Sequence, residues 1–69
     1  MEQNFDYILK YFKFSHLPEH LQVISRDFSE LAHQMAFRCV NDDADGRETA
    51  AGIRKLLEAK DCAVRSLVK

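Results

Sequence analysis

One stretch decides the fold: LLEAKDCAVR, at residues 56–65. Its apolar residues recur with helical spacing and continue to Leu67, while the remaining positions form a dense polar face. A second stretch, HLPEHLQVISRDF at residues 16–28, begins another long amphipathic helix. Two such helices in a chain of 69 residues predict a helical hairpin. A hairpin this thin cannot cover its own apolar surface, so we expect a homo-oligomer, or a ligand, to cover the rest.

The whole chain reads as one all-α domain, residues 1–69, with a short helix followed by two long ones. We place the three helices at about residues 3–12, 18–40 and 46–68. No strand-like alternation and no internal repeat interrupts this pattern. Because the two long helices are similar in length and joined by a short turn, we expect them to pack antiparallel.

Local signals support these bounds. Pro18 suits the first turn of the second helix, where its missing N–H is not needed. Asp45 followed by Glu48 fits a capping box at the start of the third helix. Gly52, inside that helix, costs about 1 kcal/mol relative to alanine. It indicates either a close approach between helices or a tolerated cost.

Apolar residues spaced three and four apart predict the core. They are Phe5, Ile8, Leu9 and Phe12 in the first helix; Leu21, Ile24, Phe28, Leu31 and Met35 in the second; and Ile53, Leu56, Leu57, Val64 and Leu67 in the third. Tyr7 and Tyr11 lie four apart on the neighbouring face of the first helix. A terminal helix with so many aromatic rings must dock on something.

The composition limits the classes of function. With ten Lys and Arg against eleven Asp and Glu, the net charge of −1 argues against a protein that binds DNA or RNA duplexes. No apolar run approaches the length of a membrane span. The first residues, Met1 to Asn4, lack the basic and apolar pattern of a signal peptide, so we expect a cytoplasmic protein. Cys39 and Cys62 are expected to be reduced core or interface thiols.

The sequence contains no persuasive catalytic constellation, and we expect a protein that is not an enzyme and uses no cofactor. No serine has a nucleophile signature, and no Gly-rich phosphate loop is present. His16 and His20 are four apart, but no third ligand completes a metal site. The acidic turn at residues 42–45 lacks the length of a calcium loop and is better explained as a helix cap.

Tyr11 and Arg26 are the candidate binding residues. An aromatic ring stacks on a nucleobase with about 1–3 kcal/mol, and an arginine fork grips a phosphate through two parallel bonds. One ring and one guanidinium per subunit, repeated by symmetry, suit a small molecule with two bases and two phosphates. Ordinary solvated side chains would also account for both residues. Arg65 is either a second ligand-binding cation or a favourable charge near a helix C-terminus.

Three motifs carry a resemblance to a known family: HLPxHLQ at residues 16–22, VISRxF at residues 23–28, and LLEAKDCAVR at residues 56–65. Together they resemble the small phage-encoded anti-CBASS proteins that act as cyclic-nucleotide sponges, whose domain is a helical hairpin. The resemblance covers most of residues 5–68.

The resemblance implies a homohexamer in the host cytoplasm during infection. Such a protein binds cyclic dinucleotides without cleaving them, so that the messenger does not reach its effector. Tyr11 matches the tyrosine that stacks on a base, and Arg26 occupies the place of a lysine that contacts the phosphate. Asp27 stands where the family has a proline and adds a negative charge there. Arg65 falls in the motif that implies a separate site for cyclic trinucleotides.

Two other functions are compatible with the residues. A protein-interaction module would use the aromatic N-terminal helix to dock on a partner protein. A structural or regulatory hairpin would need nothing beyond its own oligomer.

Overall fold

A computed structural model describes residues 4–68. A short α-helix, α1 (Asp6–Leu9), runs directly into a 3₁₀ helix, η1 (Lys10–Phe12). Two long helices follow, α2 (Glu19–Asn41) and α3 (Gly46–Leu67). Residues 4–68 contain no strand, so the predicted all-α class is confirmed.

The long helices α2 and α3 pack along one another as a helical hairpin. Met35 of α2 packs over Gly52 of α3, where an added Cβ would lie 3.0 Å from the Cε of Met35. The neighbour of this glycine among residues 4–68 is therefore the end of a side chain, and no backbone atom of α2 lies within 4 Å of the added Cβ. The molecule measures 43 × 18 × 17 Å, which makes it long and no more than about two helix diameters across.

The turn between the long helices caps the C-terminus of α2 and the N-terminus of α3. Asp45 is the N-cap of α3, and its side chain accepts hydrogen bonds from the backbone N–H groups of Arg47 and Glu48, at 2.8 and 3.2 Å. On the other side, the N–H of Ala44 donates to the carbonyl of Cys39 at 3.0 Å, the bond that defines a Schellman motif. Asp43 adopts the left-handed conformation that this motif requires, with φ of 54°. Asp45 is therefore confirmed as the N-cap, whereas the reciprocal bond of a capping box, from the Asp45 N–H to the Glu48 side chain, is not formed among residues 4–68.

The predicted bounds of α2 and α3 need small corrections. Pro18 is the N-cap of α2 rather than a residue of its first turn, because its ψ of 149° is extended and the helix begins at Glu19. The carbonyl of Pro18 accepts the first N–H groups of the helix instead. α2 ends at Asn41, one residue beyond the prediction, and α3 ends at Leu67, one residue before it.

The N-terminal element differs more from the prediction. The expected helix over residues 3–12 is a four-residue α-helix followed by a 3₁₀ helix, and residue 3 lies outside the described residues. Its apolar face is as predicted, because Phe5, Ile8 and Phe12 are buried. These side chains pack on the two long helices of the same chain, so the aromatic segment docks within its own subunit.

The predicted seam of α2 is confirmed in part, because Leu21 is buried and Phe28 and Met35 pack against the core. Leu31 is 46% exposed, whereas Ala32 is fully buried. Ser25 and Cys39 extend the buried face by seven residues in each direction from Ala32. Ala32 and Cys39 are small and belong to the same core cluster as Phe5, Ile8 and Phe12 of the N-terminal segment. Leu67, predicted in the seam of α3, is also exposed.

A considerable apolar surface remains exposed in residues 4–68. The large exposed side chains are Tyr7, Tyr11, Val23, Leu31, Phe37, Val40, Leu67 and Val68. In residues 4–68, neither long helix nor any shorter one combines the length and apolar character needed to cross a lipid bilayer.

Candidate functional site

Tyr11 lies in η1 with its ring at the surface. The ring is 58% exposed, and the Nζ atom of Lys10 lies 5.2 Å from its centroid. The backbone carbonyl of Tyr11 accepts a hydrogen bond from the Nζ atom of Lys60 on α3, at 3.0 Å. This bond fixes η1 to the hairpin, so the ring is presented from an anchored segment.

Arg26 is exposed on α2, and its guanidinium makes no hydrogen bond or ion pair with any residue in 4–68. No polar or cation–π contact joins it to Tyr11 within that range. The structure therefore places both predicted residues at the surface, and it shows no contact between them within residues 4–68.

A groove lies between the N-terminal segment and α2, and its lining includes Lys10, the residue before Tyr11. We call it the N-terminal groove; it has a volume of about 430 Å³. Its principal lining residues are Leu9, Lys10, Lys13, Phe14, Ser29 and His33. Ser29 and His33 follow Arg26 by three and seven residues, so Arg26 lies on the same face of α2, one turn away from the groove.

The groove combines an apolar wall with cationic groups. Leu9 and Phe14 supply the wall, and Lys10 and Lys13 supply two ammonium groups. Asp6 is the acidic residue that lines the same groove. An apolar wall with a few polar groups is the usual composition of a small-molecule site, and two ammonium groups favour an anionic ligand.

His33 adds a polar atom with a defined role. Its Nδ1 lies 2.8 Å from the carbonyl oxygen of Ser29. Because a carbonyl oxygen only accepts hydrogen bonds, this contact assigns the hydrogen to Nδ1. The other ring nitrogen, Nε2, is then left to contact a ligand in the groove.

Arg65 lies on the last turn of α3, where its Nη2 donates to the Sγ of Cys62 at 3.3 Å. No hydrogen bond in residues 4–68 joins it to Tyr11 or Arg26. Cys62 is exposed, whereas Cys39 is buried; both thiols are free. The prediction of a buried or interface thiol is therefore confirmed for Cys39, and Cys62 lies at the surface of the subunit.

The described residues contain no group of three or more His, Cys, Asp and Glu side chains arranged to hold a metal ion. His16 and His20 are both exposed.

The sequence prediction assigned no role to the groove residues Lys10, Lys13 or His33. The spacing of Arg26, Ser29 and His33 along one face of α2 was a usable signal for this surface. The contribution of the N-terminal segment depends on how η1 docks, which no local pattern reveals. Searches against protein-family models, curated proteins and solved structures give no match to this chain.

Proposed function

We propose that this protein binds cyclic oligonucleotide second messengers and sequesters them without cleaving them, in the manner of the phage anti-CBASS sponges that its motifs resemble. The observation that carries the proposal is the exposed Tyr11, whose ring centroid lies 5.2 Å from the Nζ atom of Lys10. Lys10 in turn lines the N-terminal groove together with Lys13 and His33. The ring supplies a stacking surface, and the ammonium groups supply charge for a phosphate.

The proposed site requires that Arg26 comes from a second subunit. A cyclic dinucleotide presents two bases and two phosphates, whereas one chain offers the Tyr11 ring and the Arg26 guanidinium at places that do not meet. A site at a subunit interface would bring a ring from one copy to a guanidinium from its neighbour. The exposed apolar side chains of α2, such as Phe37 and Val40, give the assembly a surface to bury.

The proposed assembly is a homohexamer of antiparallel hairpins. The four-residue turn between α2 and α3 supports the antiparallel arrangement, because so short a connection reverses the chain direction. Native mass spectrometry of the purified protein measures the subunit number and any retained nucleotide together. A monomer at micromolar concentration would contradict both the assembly and the shared site.

Isothermal titration calorimetry with a panel of cyclic dinucleotides tests the ligand. Replacing Tyr11 with alanine removes one stacked base, worth about 1–3 kcal/mol, so the affinity is expected to fall roughly 5- to 150-fold. Arg26→Ala is expected to weaken binding through loss of a phosphate contact, while Arg26→Lys retains part of it.

Arg38→Ala is the matched control, because Arg38 is an exposed arginine of the same helix and lies twelve residues from Arg26. Tyr11→Phe, which keeps the ring, is expected to bind like the natural protein. If no member of the panel binds, or if Tyr11→Ala and Arg26→Ala bind as tightly as the control, the proposal fails.

Sequestration without chemistry has its own test. The protein is incubated with a cyclic dinucleotide, denatured and separated from the ligand, which is then analysed by chromatography. Full recovery of the intact ring is expected. Linear or mononucleotide products would show that the protein hydrolyses its ligand, which would contradict sequestration without cleavage.

The family resemblance also suggests a separate site for cyclic trinucleotides, with Arg65 as its candidate residue. Arg65→Ala is expected to weaken cyclic trinucleotide binding and to leave cyclic dinucleotide binding unchanged. The proposed activity would take place in the host cytoplasm during phage infection.

A protein-interaction module is the second candidate, because Phe37 is 68% exposed and Val40 53% exposed on α2. Under this alternative, Phe37→Ser abolishes capture of one reproducible partner from infected cells, while every cyclic nucleotide fails to bind. Under the sponge proposal, the same variant weakens the oligomer instead.

A further inference from the structure

A second groove lies between the N-terminal segment and the first half of α3. We call it the arginine groove; it has a volume of about 730 Å³ and is lined by Asn4, Phe5, Tyr7, Arg47, Ala50 and Arg54, with Asp45 and Gly46 at its end. None of these residues lines the N-terminal groove. Its size falls within the range of small-molecule sites.

Two guanidinium groups give this groove its character. Arg47 and Arg54 are seven residues apart on α3, so their Cα atoms are separated by roughly 10.5 Å along the helix axis. Both are exposed, and in residues 4–68 the single ion pair joins Lys60 to Asp61. Neither guanidinium is therefore neutralised by a carboxylate in this part of the chain.

The free N–H groups at the N-terminus of α3 are not what this groove offers to a ligand. Asp45 already accepts hydrogen bonds from the first free N–H groups of the helix, those of Arg47 and Glu48. The same carboxylate reduces the formal charge of the lining side chains from two positive charges to one. Recognition in this groove accordingly depends on the arginine side chains and the ring beside them.

Tyr7 supplies that ring. It is 50% exposed, and the guanidinium carbon of Arg54 lies 5.8 Å from its centroid. An aromatic ring paired with a guanidinium plane is a surface on which a nucleobase stacks without sequence preference. Arg47, two turns from Arg54 along α3, lines the same groove and is placed to meet an anionic group attached to such a base.

We propose that the arginine groove binds a nucleoside polyphosphate. The base stacks against Tyr7 and Arg54, and the phosphate chain extends to Arg47. A terminal phosphate chain carries more negative charge per group than the phosphodiesters of a ring, and an arginine fork grips it through two parallel bonds. The site is distinct in its residues from the one proposed for cyclic oligonucleotides.

Titration of ¹⁵N-labelled protein followed by NMR tests this inference, with ADP, GDP, CDP and UDP as probes. At least one of them is expected to shift the amide resonances of Tyr7, Arg47 and Arg54. Adenosine and inorganic pyrophosphate, tested separately, are expected to bind at least tenfold more weakly, because each engages half of the site. Absence of binding by all four diphosphates, or equal binding by pyrophosphate alone, would overturn the inference.

Variants locate the ligand. Arg47→Gln and Arg54→Gln are each expected to weaken binding about tenfold, the effect of losing a hydrogen bond to a charged group. Tyr7→Ala is expected to lose binding that Tyr7→Phe retains. Arg38→Ala, an exposed arginine outside this groove, is expected to bind normally. Equal binding by all these variants would overturn the inference.

The two sites can be separated experimentally. Tyr11→Ala combined with Arg26→Ala is expected to leave diphosphate binding unchanged, since neither residue lines the arginine groove. If that double variant abolishes diphosphate binding, the ligand occupies the N-terminal groove and this inference is wrong. If cyclic dinucleotides fail to bind while a diphosphate still shifts Arg47 and Arg54, the inference holds without the sponge function.

Discussion

Ser25 is a polar residue in the core whose removal is expected to stabilise the protein. Its side chain is fully buried in the middle of α2, and its hydroxyl has no hydrogen-bond partner among residues 4–68. A buried hydroxyl without a partner retains the cost of losing its hydration, about 1–3 kcal/mol. Ser25→Ala removes that group and changes little else in the packing.

The expected magnitude follows from two effects of the same sign. Loss of the unpaired hydroxyl contributes about 1–3 kcal/mol, and the higher helix propensity of alanine adds up to about 0.5 kcal/mol. In a domain of this size each kcal/mol raises the melting temperature by about 4–8 °C. The midpoint is therefore expected to rise by at least about 4 °C.

Urea and thermal unfolding, followed by circular dichroism at one fixed protein concentration, measure the effect. The concentration is held constant because self-association shifts the midpoint. Ser29→Ala is the matched control: Ser29 is on the same helix and is almost as buried, but it lines the N-terminal groove. The control is expected to gain only the propensity contribution.

A Ser25→Ala protein that is no more stable than Ser29→Ala would refute this reasoning. In that case the hydroxyl has a hydrogen bond, such as one to the carbonyl four residues earlier in the helix, and its burial is not costly.

Three further substitutions test the hairpin by urea unfolding. Gly52→Ala is expected to raise the free energy of unfolding by about 0.5–1 kcal/mol, because helix propensity improves and only the flexible end of Met35, 3.0 Å from the new Cβ, must move. A lower free energy of unfolding would show that Met35 cannot move. Asp45→Ala is expected to lower the free energy of unfolding by about 1 kcal/mol, because α3 loses its N-cap, and an unchanged midpoint would contradict that role. Asp43→Gly is expected to raise it by up to about 1 kcal/mol, since glycine adopts a φ of 54° without steric cost; lower stability would mean that the Asp43 side chain contributes more than the backbone strain costs.

The sequence predicts the two long helices to within one residue because their ends carry local signals. Pro18 and Asp45 both act at the starts of helices, and the bonds they make are to residues a few positions away. Such signals do not depend on how the rest of the chain packs.

The sequence predicts the buried face of α2 in part. Leu21 is buried, and Phe28 and Met35 pack against the core, as their spacing indicates. Leu31 continues the same spacing but is 46% exposed, and Ala32 is buried instead, in the core cluster that includes Phe12 of the N-terminal segment. A contact between distant parts of the chain therefore overrides the local pattern.

Only part of the candidate site could be predicted from local sequence, because the rest forms by contact between distant segments. The exposure of Tyr11 follows from its position beside the apolar face of its own segment. The N-terminal groove combines Lys10 and Lys13 with His33. His33 lies at least 20 residues further along the chain, so these side chains come together only when the N-terminal segment docks on α2. Neither helical spacing nor composition predicts such a contact.

The different surroundings of the two thiols have a practical consequence. Cys39 is sealed in the interior, whereas Cys62 is accessible on the outer surface of α3. A maleimide dye added to the folded protein would attach at one place in each chain. Energy transfer or self-quenching between dyes would then count neighbouring copies in solution and report whether nucleotide draws them together.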